Sequence, residues 1–252
     1  MCFLFVALAS AHAQERTLQR TLDLPADGDL EISAFSGEIV ITTSDEPQVR
    51  VEVRIEGDAQ EAVDNTEIEF DTGRRSVSIE TNFDGLDDPS VLRDRDDVDP
   101  PSTYFTIQMP RTASLEINAF SADVRVTDLS GDLDVSVFSS DVEITTLSGA
   151  LDANLFSGDL KATGLSGPLS ADTFSGNMEL TFDTLTNDIE AETFSGRVRL
   201  YLPSDAGFEV DADLGMGGDL DSDFTLDGDE ANGGGPRISF ETFSGDLDLR
   251  MR

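Results

Sequence analysis

The sequence predicts an all-β protein whose main part is a β-solenoid, a β-helix-like fold in which short strands stack coil upon coil. Three observations predict it. Nine-residue units repeat in tandem, apolar and polar residues alternate within each unit, and no helical pattern follows the first residues. A chain of 252 residues is long enough for one domain with a large core or for two small ones.

The chain begins with a segment that resembles an export signal. Residues 1–13 are predicted to be a signal peptide whose positively charged n-region is truncated. Its apolar run is shorter than the roughly 20 residues that span a bilayer, and the small-x-small sequence Ala11-His12-Ala13 fits a cleavage site. We therefore expect an exported protein in the periplasm, on the cell surface or outside the cell, with no transmembrane segment in the mature chain.

Cysteine and histidine are almost absent. The single cysteine, Cys2, and the single histidine, His12, both lie in the predicted signal segment. A mature chain without thiol or imidazole has no zinc finger, no cysteine nucleophile and no Ser-His-Asp triad.

Residues 14–110 are predicted to form an N-terminal β-strand region that caps the solenoid. Residues 49–57 and 74–81 alternate apolar and polar side chains, as strands of a broader sheet do. Phe35-Ser36-Gly37, followed by apolar residues, has the form of an isolated repeat unit. Residues 83–102 are predicted to be an acidic loop, in which a weak divalent-cation site competes with a simple solvated surface. Its clustered carboxylates are Asp94, Asp96, Asp97 and Asp99.

Residues 111–252 are predicted to be the solenoid. Successive units begin alternately with Phe and Leu, so two nine-residue units make one coil of 18 residues. The unit that begins at Phe174 carries two extra residues. The units begin at Phe120, Leu129, Phe138, Leu147, Phe156, Leu165, Phe174, Leu185 and Phe194.

Each unit has the pattern of a corner followed by a short strand. Positions 5 and 7 are apolar, as in Val142 and Ile144, and position 6 between them is polar or charged, as in Glu143. Position 3 is mostly a small residue, which suits a corner. We expect coils about 4.8 Å apart, with the phenylalanines in one internal column and the leucines in another. A meandering β-sandwich is the alternative.

Charge excludes one large class of function. The chain has 52 acidic and 16 basic residues, a formal net charge of −36 and a pI near 4.1. A nucleic-acid-binding surface needs a basic face, so no nucleic-acid partner is expected. Such a surface repels itself, and salt is expected to screen the repulsion and stabilise the protein.

An acidic, glycine-rich loop is predicted over residues 215–236. Within it, carboxylates stand at positions 1, 3, 5, 9 and 12 of a segment with EF-hand ligand offsets, although Phe224 replaces the glycine at position 6. A solvated loop and a divalent-cation loop are the two interpretations. The candidate metal ligands are Asp219, Asp221, Asp223, Asp227 and Glu230. Calcium is the one cofactor considered; otherwise none is expected.

The whole arrangement resembles the "putative adhesin" family of bacterial β-strand-repeat proteins, a domain of unknown function. The resemblance covers nearly all of residues 20–252 and rests on an early unit, the strand-proline junction at Met109-Pro110 and the tandem Ser-Gly corners. Those corners contain Ser36, Ser130, Ser148, Ser157, Ser166, Ser175, Ser195 and Ser244. It implies a surface or envelope protein and supplies no catalytic residues.

The expected function is non-catalytic: an exported envelope or surface adhesin or scaffold that binds through repeated Ser, Thr and Asp faces. Weak contacts along such faces add through multivalency. The partner is an unknown envelope or surface ligand, either polysaccharide or protein. The alternatives are a calcium-dependent adhesion module and a secreted polysaccharide-acting β-helix enzyme, which would use carboxylates alone.

Overall fold

The computed structural model describes residues 14–83 and 100–252, and within them it contains nineteen β-strands and one short helix. The predicted signal segment and the Asp94–Asp99 cluster lie outside the described residues. The N-terminal elements are β1 (Gln14–Asp23), β2 (Asp29–Ser44), β3 (Gln48–Gly57), α1 (Gln60–Asp64), β4 (Thr66–Thr72), β5 (Ser76–Phe83) and β6 (Ser102–Pro110).

The remaining strands follow in two groups. The central ones are β7 (Ser114–Leu129), β8 (Leu133–Ser139), β9 (Val142–Leu147), β10 (Leu151–Ser157), β11 (Leu160–Leu165), β12 (Leu169–Ser175) and β13 (Met178–Phe182). The C-terminal ones are β14 (Ile189–Leu202), β15 (Phe208–Leu214), β16 (Leu220–Ser222), β17 (Leu226–Asp227), β18 (Glu230–Ala231) and β19 (Arg237–Met251).

The prediction of an all-β fold is confirmed, apart from the five residues of α1, which the sequence reading missed. Among the described residues, no helix has the length and apolar character needed to cross a membrane.

Two walls of parallel strands form the body of the protein. The first halves of β2, β7, β14 and β19 stack with β8, β10 and β12 to form the first wall. The second halves of the same four long strands stack with β9, β11 and β13 to form the second wall. Since a meandering sandwich pairs its strands antiparallel, this parallel pairing excludes that alternative.

The register within each wall is regular. Leu133, Leu151 and Leu169 are partners in neighbouring strands of the first wall, and Val142, Leu160 and Met178 are partners in the second. In each strand the side chains at alternate positions point inward and are almost completely buried. The inward side chains of both walls belong to one hydrophobic core.

The predicted leucine column is confirmed, but the prediction that the phenylalanines form an internal column is wrong. Leu129, Leu147 and Leu165 are at most 2% exposed, and Leu185 is partly buried against the core. The phenylalanines, in contrast, are 45–50% exposed. The members of that exposed group are Phe120, Phe138, Phe156, Phe174, Phe194 and Phe243.

The alternation of inward and outward side chains along each strand explains this difference. In the first wall the alternation continues through the end of each strand, so that Val137 points inward and Phe138 outward. At the end of β9 an additional residue, Thr146, adopts a left-handed φ of 61°, and this step turns Leu147 inward. Asp128 and Gly164 take the same conformation at the equivalent positions.

Carboxylates at the corners hold successive coils together. The Oδ1 atom of Asp141 accepts a hydrogen bond from the backbone N–H of Asp159 at 2.9 Å, and Asp159 accepts one from Asn177 at 2.8 Å. Gly158 lies at the same corner with φ of 133°, and a Cβ atom there would lie 1.9 Å from the Ser140 carbonyl oxygen. The aspartates at position 4 of the units therefore have a structural role.

The N-terminal region is continuous with the solenoid. Strand β2 pairs parallel with β7 over most of its length, so the Phe35-Ser36-Gly37 unit extends the same stack. Strands β1, β3 and β6 form an antiparallel layer that joins the second half of β2, and the β4–β5 hairpin joins its first half. At the other end, residues 215–236 contain the short strands β16, β17 and β18 in place of the simple loop predicted.

Candidate functional site

An exposed column of stacked phenylalanine rings runs along the first wall. Neighbouring ring centroids are 4.6–5.1 Å apart and the ring planes differ by 2–7°. The spacing is that of adjacent β-strands, so the backbone sets it. We call this row the Phe column; it consists of Phe35, Phe120, Phe138, Phe156, Phe174, Phe194 and Phe243.

Two further columns of outward side chains lie beside it on the same surface. The inner column, two residues before each phenylalanine, contains Ser33, Asn118, Ser136, Asn154, Asp172, Glu192 and Glu241. The outer column, two residues earlier again, contains Glu31, Glu116, Asp134, Asp152, Ser170, Glu190 and Ser239. We call the surface formed by these three columns the ladder face.

The charge on the ladder face is uniformly negative. Each strand contributes one carboxylate, except β14, which contributes two, and none of the residues in the three columns is Lys or Arg. Where the outer column changes from Asp152 to Ser170, the inner column gains Asp172, so the negative charge is kept from one coil to the next.

Partial burial and, after it, the proximity of like charges raise the pKa of three carboxyl groups on the ladder face. Partial burial, followed by the negative charges of Asp152 and Glu116, raises the pKa of Asp134 above its usual value. The pKa of Asp172 is raised in the same way, with Asp152 and Glu190 as its charged neighbours. Burial also raises the pKa of Glu192, and Asp172, Glu241 and Glu190 add to it. The face therefore holds negative charge at a cost in free energy.

An open groove follows the Phe column from Asn118 to Phe243. Three threonines, Thr173, Thr193 and Thr242, contribute to its lining in the half nearest the C-terminus. Each is only 4–5% exposed, and among the described residues its hydroxyl oxygen has no hydrogen-bond partner. Buried hydroxyls without a partner are unusual, and each leaves hydrogen-bonding capacity unused.

The outer surface of the second wall is different in charge. Its central column alternates in sign from strand to strand, and we call this surface the paired face. Arg125 contacts Glu143 at 3.4 Å, and Arg199 contacts Glu179 at 3.8 Å and Asp248 at 3.1 Å. The column is made of Arg125, Glu143, Lys161, Glu179, Arg199 and Asp248.

The five predicted metal ligands do not form one cluster. Asp221 and Asp223 are ion-paired with Arg250, at 2.8 and 3.5 Å. Asp227 and Glu230 are facing residues of the small β17–β18 hairpin. The residue between these pairs, Phe224, is buried and packs edge-on against Phe208.

Asp219, the first of the predicted ligands, uses its backbone N–H to bond with Asp246 at 3.3 Å. Within the described parts of the chain, no group of three or more His, Cys, Asp or Glu side chains is placed to hold a metal ion. The cation loop therefore rests on the sequence pattern and stays a prediction.

The sequence did not predict the ladder face, because the phenylalanines and the leucines that begin the units were both expected inside the core. In the first coils, the residue just before each first position separates them; from Thr173 onward a threonine precedes each phenylalanine of the repeat, and this signal is lost. Val137 and Leu155 precede phenylalanines and are apolar, whereas Asp128, Thr146 and Gly164 precede leucines and suit a left-handed corner. Strand alternation continued through Val137 places Phe138 outside.

Comparison with one solved structure supports the fold. The chain resembles a "putative adhesin" from Bacteroides fragilis, with a TM-score of 0.53, 14% identity, and coverage of 93% of this chain and 97% of that one. A "putative cell adhesion protein" from Clostridium sporogenes matches over 94% of this chain and 100% of its own, with 11% identity and a TM-score of 0.38. A "putative lipid binding protein" from Parabacteroides distasonis matches at 12% identity and a TM-score of 0.39, over 93% and 97%.

A search of curated proteins found no match. The family comparison is more informative, because the model described as "Toastrack DUF4097" matches residues 19–250. The match covers the antiparallel layer, the Phe column and the final strand together. The chain therefore belongs to the Toastrack DUF4097 family, as its resemblance to the "putative adhesin" proteins of unknown function led us to expect.

Proposed function

We propose that the protein is a non-catalytic adhesin or scaffold of the cell envelope or surface, and that it contacts its ligand through the ladder face. The single observation that carries the proposal is the Phe column, in which the six rings from Phe120 to Phe243 remain 45–50% exposed in an otherwise well-buried fold. A large contiguous apolar patch on a protein surface marks an interaction site, whereas single exposed apolar side chains need no such explanation.

The repeat explains how such a face would bind. We propose that the 18-residue coil, made of two nine-residue units, is the element that presents one ring and at least one carboxylate at each step of about 4.8 Å. Contacts at each coil are individually weak, but a ligand that spans several coils gains from all of them at once. Flat wall geometry supports long ligands more than small ones.

The relatives support a binding role and provide no catalytic residues to transfer to this chain. The matched family is one of unknown function, and the Bacteroides fragilis protein that shares the fold is described as a "putative adhesin". On the ladder face the carboxylates stand in rows of like charge beside phenylalanines, and the face offers no cation to polarise a substrate.

Export belongs to the same proposal. A signal peptide over residues 1–13 would deliver the chain to the envelope or beyond. Expression of the full chain in a bacterial host, followed by mass spectrometry of the periplasmic fraction, tests this. We expect a product that begins at Gln14; a full-length chain retained in the cytoplasm would contradict export.

The binding role is tested with a matched pair of double variants. Phe138→Ser/Phe156→Ser removes two rings of the Phe column. Glu143→Ser/Lys161→Ser removes two outward side chains from the same two coils on the paired face, and both doubles leave the net charge unchanged. The full chain and both variants are immobilised, and binding is measured against neutral and acidic polysaccharides, cationic and anionic peptides, and lipid vesicles.

Some ligand of the panel is expected to bind the unmodified chain. We expect Phe138→Ser/Phe156→Ser to lose binding of that ligand and Glu143→Ser/Lys161→Ser to keep it. Circular dichroism confirms that each variant is folded before its binding is compared. Equal retention by both doubles would overturn the assignment of the ladder face. Turnover of any polysaccharide in the panel would overturn the non-catalytic role.

A further inference from the structure

We infer that the ligand of the ladder face is a basic amphipathic peptide, which lays an apolar stripe on the Phe column and its Lys or Arg side chains on the neighbouring carboxylates. The inference rests on the proposed function and specifies its ligand. Two independent observations carry it: the cation-free rows of carboxylates and the groove of exposed rings with unpartnered threonine hydroxyls.

The sign of the ligand follows from the comparison of the two faces. On the paired face, arginines such as Arg125 and Arg199 contact carboxylates of neighbouring strands. Among the described residues, the three columns of the ladder face contain no Lys or Arg to pair with their carboxylates, and the pKa values of Asp134 and Asp172 are raised by burial and by neighbouring negative charges. A cationic ligand relieves this repulsion, because opposite charge within a few ångström favours the charged form of a carboxyl group.

The same charge argues against other occupants. Nucleic acid, anionic polysaccharide and anionic lipid would each add negative charge to the rows of carboxylates. A second copy of this chain, docked by the same face, would bring two such rows together, and like charges in an interface are strongly unfavourable.

The Phe column requires a ligand with an apolar side as well. Rings that are half exposed lose unfavourable contact with water when aliphatic side chains cover them. Because each ring is stacked face to face on its neighbours, the groove presents ring edges, which suit contact with aliphatic side chains. Thr173, Thr193 and Thr242 line the half of the groove where Asp172, Glu192 and Glu241 stand, and their buried hydroxyls have no hydrogen-bond partner among the described residues.

The dimensions of the face fit a single helix. Six ring-to-ring steps of 4.6–5.1 Å make the Phe column about 29 Å long, the length of a helix of roughly 19 residues. The Phe and inner columns are two residues apart along each strand, about 6.6 Å. A helix of about 10 Å diameter therefore covers both columns together.

The test uses a synthetic 19-residue peptide of leucine and lysine with helical spacing and a single tryptophan. The protein contains no tryptophan, so the fluorescence of the peptide reports its binding directly. Three probes of equal length serve as comparisons: the same composition in scrambled order, a leucine–glutamate peptide, and a lysine peptide without leucine.

Two charge variants of the full chain isolate the face. Asp172→Asn/Glu192→Gln removes two carboxylates from the inner column, and Glu143→Gln/Glu179→Gln removes two from the paired face, so both change the net charge equally. We expect the inner-column variant to lower the affinity for the leucine–lysine peptide about tenfold and the paired-face variant to lower it less than about twofold. Non-specific attraction to the net charge is the same for both variants, so the difference reports the ladder face. Added NaCl is expected to weaken binding by the unmodified chain.

The inference is overturned if the leucine–glutamate peptide binds as tightly, if the scrambled peptide binds equally, or if the paired-face variant loses as much affinity as the ladder-face variant. Its failure is distinguishable from failure of the proposed function. If the leucine–lysine peptide does not bind, while a polysaccharide or vesicle binds the unmodified chain but not Phe138→Ser/Phe156→Ser, the inference fails and the ladder face remains the binding surface.

Discussion

The ladder face and the paired face are built from the same coils, with the same strand spacing, and yet their charges follow opposite rules. On the paired face, Arg199 lies between Glu179 and Asp248 and contacts both. On the ladder face, Asp134 has Glu116 and Asp152 as its register neighbours. Since the paired face shows that this backbone accommodates alternating charges, the acidity of the ladder face is not required by the fold.

The strands of the two walls also differ in the conformation of their last residues. Strands of the first wall continue their alternation to an exposed ring, whereas strands of the second wall turn through a left-handed residue and bury a leucine. The same unit length thus produces a closed corner on one side and an exposed aromatic edge on the other. The difference leaves the rings of the Phe column open to contact with a ligand and makes the leucine column part of the hydrophobic core.

The largest expected difference separates Leu147 from Phe138, which begin consecutive units. Leu147→Ala leaves a cavity in the core, because the side chain is only 1% exposed. We expect a loss of about 2–5 kcal/mol in the free energy of unfolding. Phe138→Ala, at a side chain 45% exposed, is expected to cost about 1 kcal/mol, mainly lost ring stacking. Urea unfolding measures both, and equal losses would contradict the assignment of inside and outside.

Charge reversal is expected to change stability with opposite sign on the two faces. Arg199→Glu removes one of the three arginines that pair with the buried Asp248, and it adds a third negative charge beside Glu179. A loss of about 2 kcal/mol is expected. Asp152→Lys places a cation beside Asp134 and is expected to stabilise by about 0.5 kcal/mol. The midpoints of urea unfolding compare the two variants, and destabilisation by both would contradict the account.

Acid is expected to stabilise the ladder face. A carboxyl group whose pKa is raised on folding contributes stability below its unfolded pKa and loses that contribution as pH rises through its folded pKa. The pKa values of Asp134, Asp172 and Glu192 are all raised. The variant Asp134→Asn/Asp172→Asn/Glu192→Gln is therefore expected to melt at a higher temperature than the unmodified chain at pH 7.

The advantage of that triple variant is expected to shrink as pH falls toward 4, because the unmodified carboxyl groups then take up protons. The paired-face variant Glu143→Gln/Glu179→Gln is the control, and it is expected to lose stability at pH 7 through its broken ion pairs. Thermal unfolding followed by circular dichroism measures both. A triple variant that melts lower than the unmodified chain at pH 7 would contradict the proposed repulsion.

The smallest effect is expected from calcium, at the acidic loop that contains Asp219 and Glu230. If Asp219, Asp221, Asp223, Asp227 and Glu230 bind the ion, as the sequence predicts, Asp221 and Asp223 must first leave Arg250. We therefore expect a rise of only a few degrees in melting temperature at fixed ionic strength, removed by Asp227→Asn/Glu230→Gln. Equal melting in calcium and in NaCl of matched ionic strength would contradict the cation loop.

Most of the architecture was accessible from the sequence, because repetition makes a weak pattern visible many times. Inward residues such as Val124, Ile144 and Leu180 were identified correctly from the alternation within each unit. The ladder face was not identified, since large aromatic residues are usually buried. Whether the residue that begins a unit points inward or outward depends on the backbone conformation of the single residue before it. The left-handed φ of Thr146, a β-branched residue, follows from the stacked corner around it rather than from its own preference.

The acidic segment near the C-terminus shows a second limit of the sequence. Spacing of carboxylates between Asp219 and Glu230 resembles a ligand loop, but tertiary contacts decide what each carboxylate meets. Arg250 is distant in sequence and pairs with Asp221, and Phe224 fills the core beside Phe208. Local spacing alone could not reveal either contact.

The most direct test of the ladder face is a labelling experiment with single cysteines in a Cys2→Ser background. Asn154→Cys places a thiol beside the Phe column, and Thr145→Cys places one on the paired face; both original residues are exposed and uncharged. Maleimide labelling is timed with and without the leucine–lysine peptide at about ten times its Kd. The account predicts labelling about tenfold slower at Asn154→Cys and unchanged at Thr145→Cys. Protection at Thr145→Cys, or unchanged labelling at Asn154→Cys, would contradict it.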